Sequence, residues 1–330
     1  GFIGMHFARH LLASGDANCV VLADIKPLDP TPWPDEVREA IDAGKLKYIS
    51  LDVREPIAHP DLPDRADLIV NFAAVHREPG HVPFEYYETN LLGAEHVCAW
   101  AEQIDCTSMM FTSSIAPYGP TEEPKDENSI PVPISAYGGS KLAAEKIHAG
   151  WQQGDRDRRQ LLIVRPGVVY GPGEGGNVSR LVRAVLKRYF IYMGNRNTRK
   201  AGGYVKELCN ALVHVWNWQK EQQRGVVVFN FTADPALTVE EYVNAVCETA
   251  KIRRFVPSIP YPLLLGASFP VDAVASLFGI RQPISPVRMR KLVKSNNIQP
   301  GFLREIGYKY RYTTAQALAD WQQERPADWS

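Results

Sequence analysis

The chain has 330 residues, 45% of them apolar and 22% charged, which is ordinary globular usage and excludes an unstructured polypeptide. Such a length suits one large domain or two. Lys and Arg total 37, as do Asp and Glu, so there is no basic excess and no nucleic-acid partner is expected.

The first half alternates helix and strand signals. Gly4–Ala13 reads as a helix and Cys19–Ala23 as a strand ending at Asp24. Pro34–Ala43 is a second helix, and Lys47–Leu51 a strand ending at Asp52. Leu68–Ala74, Met109–Thr112 and Leu161–Arg165 are further strands, interleaved with helices at Glu85–Gln103 and Ala136–Gln152. Each strand is a short, nearly continuous apolar run, the pattern of a strand buried on both faces. The alternation predicts an α/β fold, a doubly wound parallel sheet with helices on both sides.

After Tyr170 the texture changes. A glycine-rich loop (171–176) precedes helices at Val178–Lys187 and Tyr204–Gln219, a strand at Gly225–Phe231, and a helix at Thr238–Ala250. Thr238 with Glu241 is a capping-box pattern. Pro257–Pro286 is Pro-rich and apolar. Its uncharged part, Val256–Val271, holds Pro257, Pro260, Pro262 and Pro270. It is shorter than the ~20 residues a bilayer span needs, so no membrane span is expected. Cys19, Cys98, Cys106, Cys209 and Cys247 lie far apart, which argues against a disulfide framework or a metal site and for a reducing cytoplasm. Nothing at the head of the chain reads as a signal peptide. The chain opens Gly-Phe-Ile-Gly without Met, and residues upstream are expected.

Two places carry chemistry. Gly1-Phe2-Ile3-Gly4 opens a helix, and such glycines let a backbone approach a pyrophosphate that the helix N-terminus holds. Asp24, about 20 residues on, stands where an acid accepts hydrogen bonds from the adenosine ribose and repels a 2′-phosphate, favouring NAD over NADP. The bland reading of Asp24 is a strand-end turn residue. Further on, Tyr137-Gly-Gly-Ser-Lys141 puts a phenol and an ammonium on one helix face. The ammonium can lower the phenol pKa and grip a ribose. A solvated face is the bland alternative. The pair follows a strand ending Phe111-Thr-Ser-Ser114, whose hydroxyls sit where parallel sheets bind ligands.

With these motifs the sequence resembles the extended short-chain dehydrogenase/reductase family, its NAD-dependent epimerase/dehydratase group acting on nucleotide sugars. The resemblance implies a Rossmann-like fold and a bound NAD. In the family's Gly-x-x-Gly-Phe-Ile-Gly turn, Gly1 and Gly4 match the second and third glycines. Asp52-Val53 matches the adenine-contacting pair, and Asn71-Phe72-Ala73-Ala74 the His-Leu-Ala-Ala stretch beside the phosphates, with Asn71 in place of His. Asn90 matches the Thr-Asn of the helix supporting the active site, and Thr112 precedes Ser113-Ser114…Tyr118-Gly119, which matches Ser-Ser-x-x-x-Tyr-Gly. Counting back from Tyr118 makes Ser114 the catalytic hydroxyl, acting with Tyr137 and Lys141. Arg165-Pro166-Gly-Val168-Val-Tyr170-Gly171-Pro172 matches the segment over the nicotinamide, bringing Pro166 and Val168 to the cofactor.

The resemblance also orders the possible reactions. Dehydratases of this kind carry Asp-Glu after the catalytic Ser; here Ile115 and Ala116 stand there. What remains is reversible hydride transfer, as in a 4-epimerase working through a keto intermediate. His76, Asn177, Lys200 and Arg288, together with Ser114, are the candidate substrate contacts. Asn177 is equally a good helix N-cap, and Arg288 equally part of a solvated basic face. Val168 replaces the family's substrate-contacting Asn, and the apolar 257–286 segment is similar to the lid of the hydroxysteroid-dehydrogenase-like branch. A dehydrogenase or reductase of an apolar alcohol or ketone is therefore the alternative. Residues 1–172, with strand 225–233 returning, are expected to form the NAD domain, and 173–330 mainly a substrate domain. The resemblance implies a homodimer through helices 85–103 and 136–152, with Leu91, Leu92, Val97, Leu142 and Ile147, and a usual setting in polysaccharide biosynthesis.

Overall fold

A computed structural model describes residues 1–29, 33–78, 80–263, 266 and 294–330. Arg288, Arg290, Lys291 and most of the apolar 257–286 segment lie outside the described residues.

The Gly-Phe-Ile-Gly turn leads straight into α1 (Phe2–Ser14), which ends on Gly15 in the left-handed conformation. Then follow β1 (Val20–Asp24), α2 (Asp35–Asp42), β2 (Leu46–Ser50), β3 (Ile69–Asn71), α3 (Pro83–Gln103), β4 (Ser108–Thr112), β5 (Thr121–Lys125), α4 (Ala136–Gln153) and β6 (Gln160–Pro166). β3, β4 and β6 form a parallel sheet that β10 (Val226–Phe231) completes beside β6. The strand expected to return from the second half of the chain does so. β1 and β2 make a second parallel ladder.

Alternation along the strands explains the layering. Met110, Leu162 and Val164 point to one face, where Phe7 and Leu11 of α1 and Leu208, Leu212 and Val215 of α6 (Val205–Glu221) cover them. Met109, Phe111, Leu161 and Ile163 point to the other, against Ala94, Val97 and Ala101 of α3 and Ala144 and Trp151 of α4. Both faces are buried, which is why these strands read as unbroken apolar runs.

A separate cluster gathers the C-terminal half. Tyr170 of β7 (Val168–Tyr170) packs with Val178 and Val182 of α5 (Asn177–Leu186), Tyr204, Tyr242 and Val246 of α7 (Val239–Thr249), and Trp321. Short parallel ladders join β7 to β9 (Gly202–Tyr204), β8 (Tyr192–Met193) to β11 (Ser258–Ile259), and β12 (Asn296–Ile298) to β5. α8 (Gly301–Glu305) and α9 (Thr314–Glu324) close the chain. The Thr238–Glu241 capping box forms as expected: each side chain accepts from the other's backbone N–H, at 3.1 and 2.7 Å. Among the described residues no helix is long and apolar enough to cross a membrane.

Candidate active site

The glycine turn sits at the carboxyl end of β1. Asp24 Oδ2 lies 2.8 Å from the Gly1 nitrogen, and Oδ1 accepts from the Lys26 N–H at 3.0 Å. No side chain caps α1 and no acid occupies its first turn. The positive end of this helix is thus left to an anion. A Cβ on Gly4 would stand 3.5 Å from the Phe72 ring, in ordinary van der Waals contact, so Gly4 lies directly beside the Phe72-Ala73-Ala74 segment. An uncapped helix start, two glycines and a neighbouring carboxylate are the donor and acceptor set that a dinucleotide's pyrophosphate and ribose require.

Around this turn the matched residues are held by neighbours. Asn71 accepts from the Ala73 N–H at 3.1 Å and lies 3.2 Å from Nε2 of His148. Asn90, expected at the cofactor, spends its amide on Val75 and Ser140, at 2.9 and 2.8 Å, and so ties the segment after β3 to α4. Asp52 accepts from Arg54 Nε and a terminal nitrogen, at 3.0 and 2.6 Å. Arg54, a possible partner for a 2′-phosphate, is therefore engaged. Val53 packs over Gly93, where a Cβ would approach it to 2.8 Å.

The catalytic triplet comes from two elements. β4 ends at Thr112, which is buried, and the chain turns through Ser113 and Ser114. Ser113 is 3% exposed and donates to Glu145 at 2.5 Å. Ser114 is half-buried and accepts from the Ala116 N–H at 3.1 Å, and its hydroxyl acts on the Tyr137 phenol to lower it. α4 starts on Ser135, whose hydroxyl accepts from the Gly138 N–H at 3.2 Å. A Cβ on Gly138 would stand 2.7 Å from the Ala116 carbonyl oxygen. Only glycine lets the first turn of α4 approach the serine loop so closely, and this approach brings Tyr137 to Ser114.

One turn on, Lys141 is 2% exposed, its ammonium 4.4 Å from the centre of the Phe111 ring. Burial pushes it down to about 7, with the Glu145 carboxylate opposing. Burial likewise pushes Tyr137 up, and the Ser114 hydrogen bond pulls it back. The sequence suggested a phenol lowered by its lysine. The structure instead has a buried phenol and a buried ammonium, each displaced toward its neutral form by desolvation.

The substrate candidates are less uniform. Burial lowers His76 against a hydrogen bond with the Ala74 backbone, and the positive charges of Arg77 and Lys141 add to the lowering. Tyr86 of α3 lies against Tyr137, ring centres 6.0 Å apart. Lys200 donates to the Lys294 carbonyl at 2.7 Å and is pushed down to about 8 by burial. Asn177 is not the cap of α5. It is exposed and accepts from Arg180 at 2.6 Å, while Glu174 accepts from the Ser179 N–H at 2.9 Å and satisfies the helix start. Pro166 accepts from Ile115 N–H at 3.1 Å, and Val168 pairs with Gly202.

The model of the NAD dependent epimerase/dehydratase family matches residues 1–230. The chain belongs to that family. Among curated proteins it is similar to an N-acetyl-alpha-D-glucosaminyl-diphospho-ditrans,octacis-undecaprenol 4-epimerase of Escherichia coli O157:H7, 28% identical over 81% of this chain and 80% of the relative. It is also similar to a decarboxylating sterol-4-alpha-carboxylate 3-dehydrogenase of Candida albicans, 23% identical over 98% and 95%. Among solved structures, a UDP-glucuronic acid 4-epimerase from Bacillus cereus in complex with NAD superposes with a TM-score of 0.73 at 15% identity, covering 100% of this chain and 97% of that one. MoeE5 in complex with UDP-glucuronic acid and NAD gives 0.71 at 23% identity, covering 98% and 95%. These likenesses carry the Rossmann-type α/β fold.

Proposed function

We propose that this chain is an NAD-dependent epimerase of a nucleotide-diphosphate sugar, working by 4-epimerisation through a keto intermediate. The observation that carries the reading is the Ser114–Tyr137–Lys141 arrangement at the carboxyl end of the parallel sheet, with Ile115 and Ala116 offering no second acid or base. The family and its 4-epimerase relatives support it.

Gly1 to Gly4, Asp24 and the Phe72–Ala74 segment would hold NAD, with Lys141 at its ribose. Bound NAD supplies the hydride acceptor and returns the hydride. Tyr137, as its phenolate, takes the proton from the sugar hydroxyl and becomes the neutral phenol, and Ser114 steadies the sugar oxygen. Lys141 offsets the negative charge of the phenolate before the proton arrives. Once the keto sugar has turned, the same groups deliver the proton back. His76, Lys200 and Arg288 remain our proposed substrate contacts. Asn177 is kept with them as an exposed group on the first turn of α5.

The experiment is to denature the purified protein, identify what it releases by mass spectrometry, and assay UDP-sugars without added cofactor. Release of NAD rather than NADP is expected, with sugar interconversion and no net NADH. The full-length likeness to a sterol dehydrogenase favours the second reading, oxidation of an apolar alcohol. Steady NADH accumulation with a 3-hydroxysterol and none with sugars would decide for it.

The same proposal includes a cytoplasmic setting and a homodimer through α3 and α4. Val97 and Ile147, expected at that interface, instead pack on the inner cluster. Leu92, Tyr87 and Phe84 are the apolar side chains that α3 exposes, at 38%, 41% and 68%. Light scattering at micromolar concentration should give twice the chain mass, and Leu92→Glu should move it toward the monomer.

A further inference from the structure

A buried charge pair lies behind the phenol–lysine pair, and the reaction as described does not use it. Glu145 follows Lys141 by one helical turn on α4, so the two side chains share a face. Glu145 is 3% exposed. Arg165 donates to both its oxygens, from Nε at 2.8 Å and from a terminal nitrogen at 2.6 Å, and Ser113 adds a third bond. Arg165 is itself fixed. Its other terminal nitrogen donates to the Tyr118 hydroxyl at 2.7 Å, which donates to Asn230 at 3.0 Å. These bonds join the ends of β4 and β6 and the strand β10 to the middle of α4. A carboxylate gripped by a fork from one side and a hydroxyl from another has one orientation open to it.

We propose that Glu145, clamped by Arg165, is a positioning residue for Lys141: it fixes a negative charge one helical turn from the ammonium and so governs how firmly Lys141 holds its proton. The inference rests on the Tyr137–Lys141 reading above. Other groups around Lys141 offer no such charge. Phe111 presents a ring. His148, stacked on Phe111 with centres 4.1 Å apart, is pushed down to about 4 by burial and is neutral. His76 is lowered by burial as well. Tyr137, on the same helix, is raised by burial and keeps its proton in this state. Among the described residues Glu145 is the group that raises Lys141 against desolvation, and Arg165 sets a positive charge against both of its oxygens. Removing one partner or the other should therefore move Lys141 in opposite directions.

The test uses the full chain labelled with 13Cε-lysine, its Lys141 signal assigned by its loss in Lys141→Met. Proton loss in the wild type is expected near pH 7. In Glu145→Gln the midpoint should fall by a unit or more, a tenfold weaker hold on the proton, because Arg165 is left uncompensated. In Arg165→Met it should rise by a similar amount, because the carboxylate then faces Lys141 alone. Loss of packing cannot give shifts of opposite sign. Shifts of the same sign, or none, overturn the proposal. If Glu145→Gln does not fold, an unchanged or lowered midpoint in Arg165→Met overturns it on its own. The titration needs no substrate, so a chain that turns over no sugar defeats the functional reading and leaves this result standing.

Discussion

Tyr137→Phe is expected to lower turnover about 10²–10⁴-fold, the range that a positioned acid–base group contributes, with fold and NAD binding nearly intact. The phenol oxygen accepts the substrate proton, and the remaining ring fills the same space against Tyr86. Desolvation raises Tyr137, so the wild-type phenol depends on Ser114 and on the cation behind it to reach a reactive state. The loss should appear in kcat, with the thermal midpoint nearly unchanged. Ser114→Ala should lose less, because water can take the place of a half-buried hydroxyl. Full turnover in Tyr137→Phe would defeat both the epimerase and the dehydrogenase readings, since both route the proton through this oxygen.

What the sequence disclosed and what it hid follow from the range of the interactions. The strands announced themselves because each is buried on both faces, so Met109 and Met110 are both apolar although they point in opposite directions. Thr238 and Glu241 were legible because a capping box is completed within one turn. Ser114 was legible as a candidate from its spacing to Tyr118. Glu145 was not. A Glu one turn after a Lys reads as a solvated pair, and its true partner, Arg165, sits on the next strand of the sheet. The usable signal was its neighbours: Ala144 and His148 share its inward face and are fully buried, so a charge there needed a partner. Asn177 misled for the opposite reason. Its type suits an N-cap, but Glu174 in the preceding loop reaches back to Ser179 and leaves it nothing to satisfy. Asn90, expected at the cofactor, bonds through its amide to Val75 and Ser140, which makes it a brace between the segment after β3 and α4.

Lys141→Met is expected to abolish turnover and at the same time to stabilise the fold near neutral pH. Lys141 is 2% exposed, and burial takes it from the ordinary lysine value of 10.5 to about 7. Between those values the unfolded chain binds the proton and the folded chain does not, so this residue makes stability rise with pH across that window. Its contribution is fully present above 10.5 and lost as pH falls to about 7, where the folded protein must bury a charge. The difference corresponds to about 5 kcal/mol as an upper bound at ~1.4 kcal/mol per pH unit. Met keeps the length of the side chain and its contact with Phe111 without the charge, and Glu145 keeps Arg165 as its partner. A net gain of about 1–2 kcal/mol at pH 6.5 is the expected outcome, once the lost cation–π contact is set against the relieved desolvation. At pH 9 the gain should be smaller, because the wild type has by then shed most of its proton. Urea unfolding of both proteins at the two pH values measures this, and a gain that grows with pH would refute the assignment of a strained ammonium. A cation kept where the fold disfavours it points to chemistry as the reason for its presence, since packing alone would be better served by Met.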